Sequence, residues 1–524
     1  MRGAIAAGHP LTAEAGAQIL ADGGNAVDAC LAAAFVSWVA ESPLTGPGGG
    51  GFLLVHRARD GRSRLLDFFV AVPGAGLGGA AISEMETIDV DFDRSTTQAF
   101  GIGAASVAVP GTVAGLETAH RMYGRVPWPK LLEPAISVAR EGIVLTRAQA
   151  YLHAILDIIL RHTEPGRAIY GPAGERLTAG DRLVMTDLAA TLEQLAADGA
   201  SGFYRGALGD RIADHIRTQG GALTREDLHG YRPIWRRPIT VDFVGHRFVS
   251  NPPPSTGGVL IAYGLLLLDR VGLGGPPGSA DAISRLVGVM GEQKVAGGPG
   301  FARHLHGGGL ARQLYDDRRV AAAAARLAEN GSPIAAPEPA EPSRTTHISV
   351  VDAAGNAASL TASTGSGSGM VVPGSGIHLN NMLGEHHLNL ARRRRRPGGR
   401  LTSMMAPSVV LRDGRPRLVV GSAGSVRLRG AILQIVVNAV GHGLPVDDAI
   451  ERPRVHLDEG HVHCEGGCDP PELDELERRG YDVVRWRRRN LYFGGAAAVE
   501  FLPDGTLAAA GDPRRGGHGI VVGA

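Results

Sequence analysis

Alternating hydrophobic and polar positions predict a β-hairpin near residue 350. Residues 346–352, THISVVD, are rich in β-branched side chains, and residues 357–364, AASLTAST, follow after the short segment AAGN. Two such runs joined by a short turn with Gly and Asn are typical of a hairpin. We therefore predict two paired strands, the first of which begins at two adjacent threonines, Thr345 and Thr346.

The rest of the pattern mixes helices and strands. Ala-rich apolar stretches predict two helices within 10–40, and most of 110–330 has a helical pattern. Residues 46–56 are predicted as a Gly-rich turn that runs into a strand. Further strands are predicted at 63–74, 407–412, 417–421, 461–464 and 496–502, and a helix at 427–440. Strands at both ends, helices between them and no repeat of constant period favour one composite α/β domain.

A linker is predicted directly before the hairpin. Residues 328–344, AENGSPIAAPEPAEPSR, are rich in Pro, Glu and Ala and offer little to bury. Two interpretations follow: a boundary between domains, or a cut site that releases a new N-terminal threonine.

Composition excludes several classes of protein. The chain has 524 residues, is 44% hydrophobic and carries a net charge of +1, which does not indicate a nucleic-acid or membrane partner. Three cysteines are too few for a disulfide framework. The apolar stretch 25–40 is too short to span a bilayer and contains Asp28. Without a recognisable export signal, a cytoplasmic location is expected.

Thr345 can act as a catalytic nucleophile if the peptide bond between Arg344 and Thr345 is cut. A hydroxyl is a weak nucleophile unless a base lies beside it. A free α-amine has an ordinary pKa of about 8, so the amine of an N-terminal threonine can serve as the base for its own hydroxyl. The same hydroxyl could first attack the carbonyl of Arg344. A threonine pair at the start of a strand is also common without any such role.

Several motifs in order distinguish these interpretations, and together they resemble the γ-glutamyltranspeptidase family of self-cleaving N-terminal-nucleophile hydrolases. The motifs are AAGHPLTAEAGAQILADGGNAVDACLAAAF (6–35), GPGGGGFLLVH (46–56), VPGTVAG (109–115), NPPPSTGG (251–258), TTHISVVDAAGNAASLTAS (345–363), SGIHLNNM (375–382) and GSAGS (421–425). The resemblance implies a four-layer αββα sandwich. It also implies autocleavage between Arg344 and Thr345 into a large subunit, 1–344, and a small subunit, 345–524, which stay together as a heterodimer.

The resemblance also assigns the catalytic residues. Thr345 is the nucleophile, and Ser363 stands where the family has a second threonine whose hydroxyl supports it. Gly424 and Ser425 match the Gly-Gly turn whose backbone amides form the oxyanion hole. Neither a cofactor nor a metal is expected.

The substrate-binding positions depart from the family. Phe69 stands where an arginine grips the α-carboxylate of the γ-glutamyl group, and a phenyl ring makes no bidentate bonds to a carboxylate. Met382 replaces a glutamine and Glu385 an aspartate, while Thr402 and Ser403 match a serine pair. A substrate-contacting asparagine has no counterpart, because 363–369 is two residues shorter than in the family.

These differences predict a small-molecule acyl donor other than ordinary γ-glutamyl compounds such as glutathione. Alternatives stay open: a side-chain acylase or a carbon–carbon bond hydrolase that uses the same nucleophile, or a degenerate relative that only binds. Another arginine, Arg427 or Arg400, could also replace the missing carboxylate clamp.

Three other motifs give weaker indications of function. GPGGGGF lacks the Lys-Ser/Thr of a phosphate loop and is interpreted as a close-packed turn. HVHCEGGC (461–468) lacks the usual zinc spacing, so a structural role is expected. The run Arg392–Arg396 is single and has no stacking aromatics, which favours a solvated loop over a nucleic-acid site.

Overall fold

A computed structural model describes residues 2–93, 96–298, 301–329, 345–385, 396–424, 427–502 and 504–523. The strands, in chain order, are β1 Gly3–Ala7, β2 Gly50–Arg57, β3 Arg62–Phe68, β4 Glu86–Asp93, β5 Thr96–Ile102, β6 Ile143–Val144, β7 Arg182–Leu183, β8 Ile234–Arg236, β9 Ile239–Phe243, β10 His246–Ser250, β11 Thr346–Asp352, β12 Ala357–Ser363, β13 Val371–Val372, β14 Ile377–His378, β15 Ser408–Arg412, β16 Arg415–Ala423, β17 Val455–Asp458, β18 His461–Cys464, β19 Asp482–Arg485, β20 Gly495–Phe501, β21 Leu507–Gly511 and β22 His518–Val522.

The helices fill the middle of the chain and flank the late strands. They are α1 Pro10–Ala21, α2 Ala26–Ala40, α3 Thr112–Tyr123, α4 Trp128–Glu141, α5 Arg147–Ile155, α6 Asp157–Leu160, α7 Glu164–Tyr170, α8 Thr186–Asp198, α9 Ala200–Arg205, α10 Ala207–Thr218, α11 Arg225–Gly230, α12 Gly257–Val271, α13 Ala280–Ala296, α14 Phe301–Gly307, α15 Leu310–Leu314, α16 Asp317–Glu329, α17 Arg427–Val436, α18 Val446–Glu451 and α19 Pro470–Arg478. Within the described ranges, no helix has the length and apolar character needed to cross a bilayer.

Two large sheets form the centre of the fold. The first has the order β22-β1-β11-β12-β2-β3-β8, and the second has the order β21-β20-β16-β15-β10-β9. Helices α1, α2 and α3 pack on the first sheet, and α12 and α17 pack on the second. The four layers confirm the expected αββα sandwich. Each sheet combines strands from before and after the 344–345 bond, so the two predicted subunits share both central sheets.

Strand β11 shows why its sequence alternates. Ile348 and Val350 pack with the apolar residues of the helical layer, while Val351 packs in the cluster between the two sheets. Because successive side chains of a strand point to opposite faces, Thr346 shares the face of Ile348, and Thr345 shares the inner face.

The predicted hairpin is confirmed, and three other predictions need correction. The strand predicted at 63–74 ends at Phe68, since the following residues pair only through isolated bridges such as Ala71 with Val109 and Arg400. The helix predicted at 427–440 becomes a π-helical turn at Val437–Gly441. Residues 328–329, predicted as linker, close helix α16, and the rest of that linker lies outside the described residues.

Candidate active site

Thr345 lies at the buried end of the hairpin, with 1% of its surface exposed. The antiparallel register pairs Thr346 with Ala362, so the next step of the register places Thr345 opposite Ser363. Ser363 is fully buried, and its Oγ accepts a hydrogen bond from the backbone N–H of Gly365 at 2.8 Å. The structure therefore brings together the two hydroxyl residues that the sequence assigned to catalysis.

Gly424 reaches the same place from the second sheet. It follows β16, which lies against β11, and Ala423 and Thr345 line one cavity. Gly424 has a φ of 125°, which favours glycine, and an added Cβ would lie 3.0 Å from the Cα of Gly494. Its predicted partner in the oxyanion hole, Ser425, lies outside the described residues, as does Arg344.

The cavity beside Thr345 has about 30 Å³ of space for water-sized molecules, which is enough for about two waters. Its wall comes from the starts or ends of several strands and from the turn after α2. Polar lining residues are His9, Glu41, Gln149, Thr345, Thr346, His347, Asp512 and Arg515. A small cavity with several polar side chains in its wall thus adjoins the predicted nucleophile.

Glu41 is a buried carboxylate in this cavity that sequence reasoning missed. It is 5% exposed, and its Oε2 and Oε1 accept hydrogen bonds from the hydroxyls of Thr346 at 2.5 Å and Thr12 at 2.9 Å. Burial raises the pKa of Glu41, an effect that the two hydroxyl bonds partly offset. A signal was available in the sequence: an acidic residue directly after an apolar helix has to find partners.

Arg515 is the second charged residue of the cavity that sequence reasoning missed. Its Nε and Nη1 are buried and have no hydrogen-bond partner among the described residues. Burial lowers the pKa of Arg515 to about 10, so the guanidinium remains protonated at neutral pH.

His347 lies two residues from Thr345 and could have been a rival base. Its Nδ1 bonds with the hydroxyl of Thr361 at 2.8 Å, and its Nε2 bonds with that of Ser349 at 2.9 Å. Burial lowers the pKa of His347 to about 3, so the ring is neutral. Both ring nitrogens are engaged, and the ring packs against Gly421, where an added Cβ would lie 2.2 Å from Cε1. His347 is a structural residue.

Phe69 and Met382 lie at the same end of the strands of the first sheet as Thr345 does, but farther from β11. Phe69 follows the end of β3, which is three interstrand steps, or about 14 Å, from β11. Both side chains are 1% exposed and belong to the apolar cluster between the sheets, and the Phe69 ring stacks on Phe52 at 5.5 Å. The position that the family uses for an arginine is therefore apolar here.

The other predicted substrate residues are buried too. Ser403 Oγ accepts from the N–H of Met405 at 3.1 Å, and its carbonyl accepts from the N–H of Thr256 at 2.7 Å. Thr402, which is 8% exposed, precedes it. Glu385 is 1% exposed and lies near the turn after Ser363, since a Cβ on Gly365 would lie 2.5 Å from its Oε1. The Glu385 carboxylate therefore lies beside the turn that follows Ser363.

The two arginines proposed as replacement clamps differ in their partners. Arg400 donates from Nε to Asp67 Oδ1 at 3.2 Å and lies 4.5 Å from the ring centroid of Tyr231, so its charge is already compensated. Arg427 lies 4.2 Å from the ring centroid of Tyr492, and burial lowers its pKa. Neither arrangement reproduces an arginine at position 69.

The remaining motifs are assigned as follows. On β18, His461 is exposed and bonds with Asp482 at 2.9 Å, while Cys464 is buried. Across the described ranges, no group of three or more His, Cys, Asp and Glu could hold a metal ion. Of the arginine run, 392–395 lie outside the described residues.

Comparisons with known proteins agree with the motifs. The sequence profile of the gamma-glutamyltranspeptidase family matches residues 12–522. The chain is 34% identical to the acylase ACY 1 proenzyme of Pseudomonas sp. (strain V22), over 99% of this chain and 94% of that protein. It is 32% identical to the glutathione hydrolase proenzyme of Escherichia coli (strain K12), over 98% and 90% of the two chains. The crystal structure of cephalosporin acylase from Bacillus halodurans superposes with a TM-score of 0.85, 27% identity and coverage of 99% and 95%.

Proposed function

The chain belongs to the gamma-glutamyltranspeptidase family of hydrolases and acylases, and from this premise we propose that it is a self-cleaving acylase acting through Thr345. Its acyl donor would be an amide with an apolar acyl group rather than an ordinary γ-glutamyl compound. The observation that carries the choice of substrate is the Phe69–Phe52 stack where the family has its carboxylate-binding arginine.

Self-cleavage would begin with attack of Thr345 Oγ on the carbonyl carbon of Arg344. The peptide C–N bond breaks as the ester C–O bond forms, and the hydroxyl proton passes to the departing α-nitrogen. Water then hydrolyses the ester and leaves Thr345 with a free α-amine. The burial of Thr345 and its place opposite Ser363 support this role.

Acyl transfer would repeat the same chemistry on a substrate. The α-amine takes the hydroxyl proton while Oγ attacks the acyl carbonyl, and the proton then goes to the leaving amine. The developing oxyanion would be stabilised by backbone amides at Gly424 and Ser425. Water hydrolyses the acyl-enzyme, or an acceptor amine takes the acyl group.

The residues at Phe69 support the proposal of an apolar acyl group. An acyl donor with an α-carboxylate and an α-ammonium would have to bury both charges near Phe69 and Met382, and burying an uncompensated charge is costly. Arg400 offers no remedy, because Asp67 already takes its guanidinium. The names of two similar proteins, acylase and cephalosporin acylase, agree with an acyl group of another kind.

The test combines intact-mass measurement with a panel of acyl donors. The wild-type protein should yield two fragments that break between Arg344 and Thr345, whereas Thr345→Ala should remain one chain. Thr346→Ser is the matched control, because it retains the hydroxyl that bonds Glu41 and should still cleave. Phenylacetyl 4-nitroanilide should be hydrolysed at least about tenfold faster, in kcat/KM, than γ-glutamyl 4-nitroanilide.

Two outcomes would contradict the proposal. A wild-type chain that stays uncut and turns over neither anilide would favour a degenerate binding protein. Preference for the γ-glutamyl anilide would show that other groups replace the missing arginine.

A further inference from the structure

Arg515 presents unpaired hydrogen-bond donors beside the predicted nucleophile. The residue ends a short turn between β21 and β22, and its side chain lines the cavity that contains Thr345. Nε and Nη1 are both buried, and no acceptor among the described residues reaches them. The residue as a whole is partly exposed, but a buried N–H without an acceptor is costly, and such groups are normally paired.

The acidic residues near Arg515 are already occupied. Glu41 uses both carboxylate oxygens for the hydroxyls of Thr12 and Thr346. Asp512 accepts from Arg454 on Oδ2 at 2.6 Å and from Arg514 on Oδ1 at 3.1 Å. Neither carboxylate forms a salt bridge with Arg515. The Nε and Nη1 donors of Arg515 are therefore available to an acceptor that is not among the described residues.

The backbone around Arg515 is shaped to hold its side chain. A Cβ on Gly495 would lie 2.3 Å from Cδ of Arg515 and 2.9 Å from Nε, so the glycine leaves room for the stem. A Cβ on Gly424 would lie 3.6 Å from Nη2. The far end of the guanidinium thus lies at the turn that is proposed to bind the oxyanion.

The order of strands places Arg515 and Phe69 on opposite sides of Thr345. In the first sheet, β22 and β1 lie on one side of β11, and β12, β2 and β3 lie on the other. Arg515 lies three residues before the start of β22, and Phe69 directly follows β3. An amide bond held at Thr345 would therefore extend one half toward each residue. The apolar side suits the acyl group, which leaves the Arg515 side to the amine.

We infer that Arg515 binds a carboxylate on the amine half of the substrate, so that the substrate class is an N-acyl amine that carries a carboxylate, such as an N-acyl amino acid. The inference rests on the proposed function for the acyl half. A carboxylate accepts two parallel bonds from a guanidinium, and the cavity of about 30 Å³ has room for its two oxygens.

Two chromogenic amides that differ by one carboxylate test this inference. They are phenylacetyl 4-nitroanilide and phenylacetyl 3-carboxy-4-nitroanilide. In the wild-type enzyme kcat/KM should favour the carboxylated amide by about 30-fold or more, the size expected of a buried charge-assisted pair. Arg515→Gln should bring this ratio close to one, and Arg515→Lys should restore part of it.

A second measurement does not depend on turnover. Calorimetry should show that the product 5-amino-2-nitrobenzoate binds the wild-type protein more tightly than 4-nitroaniline does, and that Arg515→Gln removes the difference. If the wild-type protein is cleaved and active but treats both anilides equally, the inference is wrong and the proposed function stands. If the protein is inactive, the proposed function fails, and equal binding of the two products would overturn the inference as well.

A third substrate tests which half carries the charge. Glutaryl 4-nitroanilide has its carboxylate on the acyl side. If it is preferred over valeryl 4-nitroanilide, and if that preference depends on Arg515, the carboxylate lies on the acyl half and our assignment to the amine half is wrong.

Discussion

Arg514 and Arg515 are neighbours in the chain, yet they occupy opposite kinds of environment. Arg514 donates from Nε to Glu465 Oε1 at 2.8 Å and from Nη1 to Asp512 Oδ1 at 3.1 Å. Two backbone carbonyls, of Ile450 and Arg452, accept further bonds at 2.9 Å each. All of this charge is buried and fully paired.

Arg515 turns away from that network into the cavity beside Thr345, where its Nε and Nη1 have no acceptor among the described residues. The contrast separates two uses of a buried arginine. A guanidinium whose donors are satisfied within the protein holds elements together, whereas one whose donors face a cavity is available to a ligand.

Removing Arg514 should have the largest effect on stability. Arg514→Met leaves Glu465 buried without its main partner, and breaking one side of a buried pair costs about 3–5 kcal/mol. The free energy of unfolding, from urea titration, should fall by that amount. Arg515→Met is the matched comparison and should lower it far less, since no internal pair is lost. Equal losses in the two variants would mean that Arg515 is a structural residue.

A smaller effect is expected from moving Arg515 without changing it. Gly495→Ala places a Cβ within 2.3 Å of the Arg515 stem and should displace the guanidinium from the cavity. We expect the preference for the carboxylated anilide to fall about tenfold, a loss of about 1.4 kcal/mol. Gly230→Ala, where an added Cβ meets no atom within 4 Å, is the control and should keep the wild-type ratio.

The smallest effect concerns Glu41, which faces Arg515 without pairing with it. Burial raises the pKa of Glu41, so the fold favours the neutral carboxyl. Stability from this group is then fully present below its unfolded pKa and is lost as pH rises through its folded pKa.

The free energy of unfolding of Glu41→Gln should therefore fall furthest below that of the wild type near pH 4, and the difference should shrink toward pH 8. Urea unfolding across this range measures the difference, with Glu133→Gln on an exposed helix position as control. The opposite slope would show Glu41 ionised and paired with Arg515, which would make the cavity resemble the Arg514 network.

The residues that we assign to catalysis could be named from the sequence. Alternation predicted the hairpin, and the family motifs assigned Thr345 and Ser363, which the observed register of β11 and β12 places opposite each other. The apolar character of position 69 followed from the residue itself. These are local properties, since side chains two residues apart on a strand share a face whatever else the chain does.

Which charged side chains pair with each other could not be predicted from such local patterns. Whether Arg400 was a free clamp depended on Asp67, which lies 333 residues away in the chain. The strands β9 and β10, which complete the second sheet, were also missed within a region whose pattern is mostly helical. In both cases a long-range contact overrode what a local pattern could indicate.

By itself, the sequence determined the hairpin, the family motifs and the loss of the arginine at position 69. Only the tertiary structure decided which charges are paired, because Arg514 and Arg515 are identical in type and adjacent in position. Arg514 pairs with Glu465 and Asp512, whereas Arg515 faces the cavity at Thr345. Separate segments of the chain bring these groups to one place. The energy of a buried charge depends on its three-dimensional neighbours, so only the folded chain distinguishes an arginine that supports the core from one that faces a substrate.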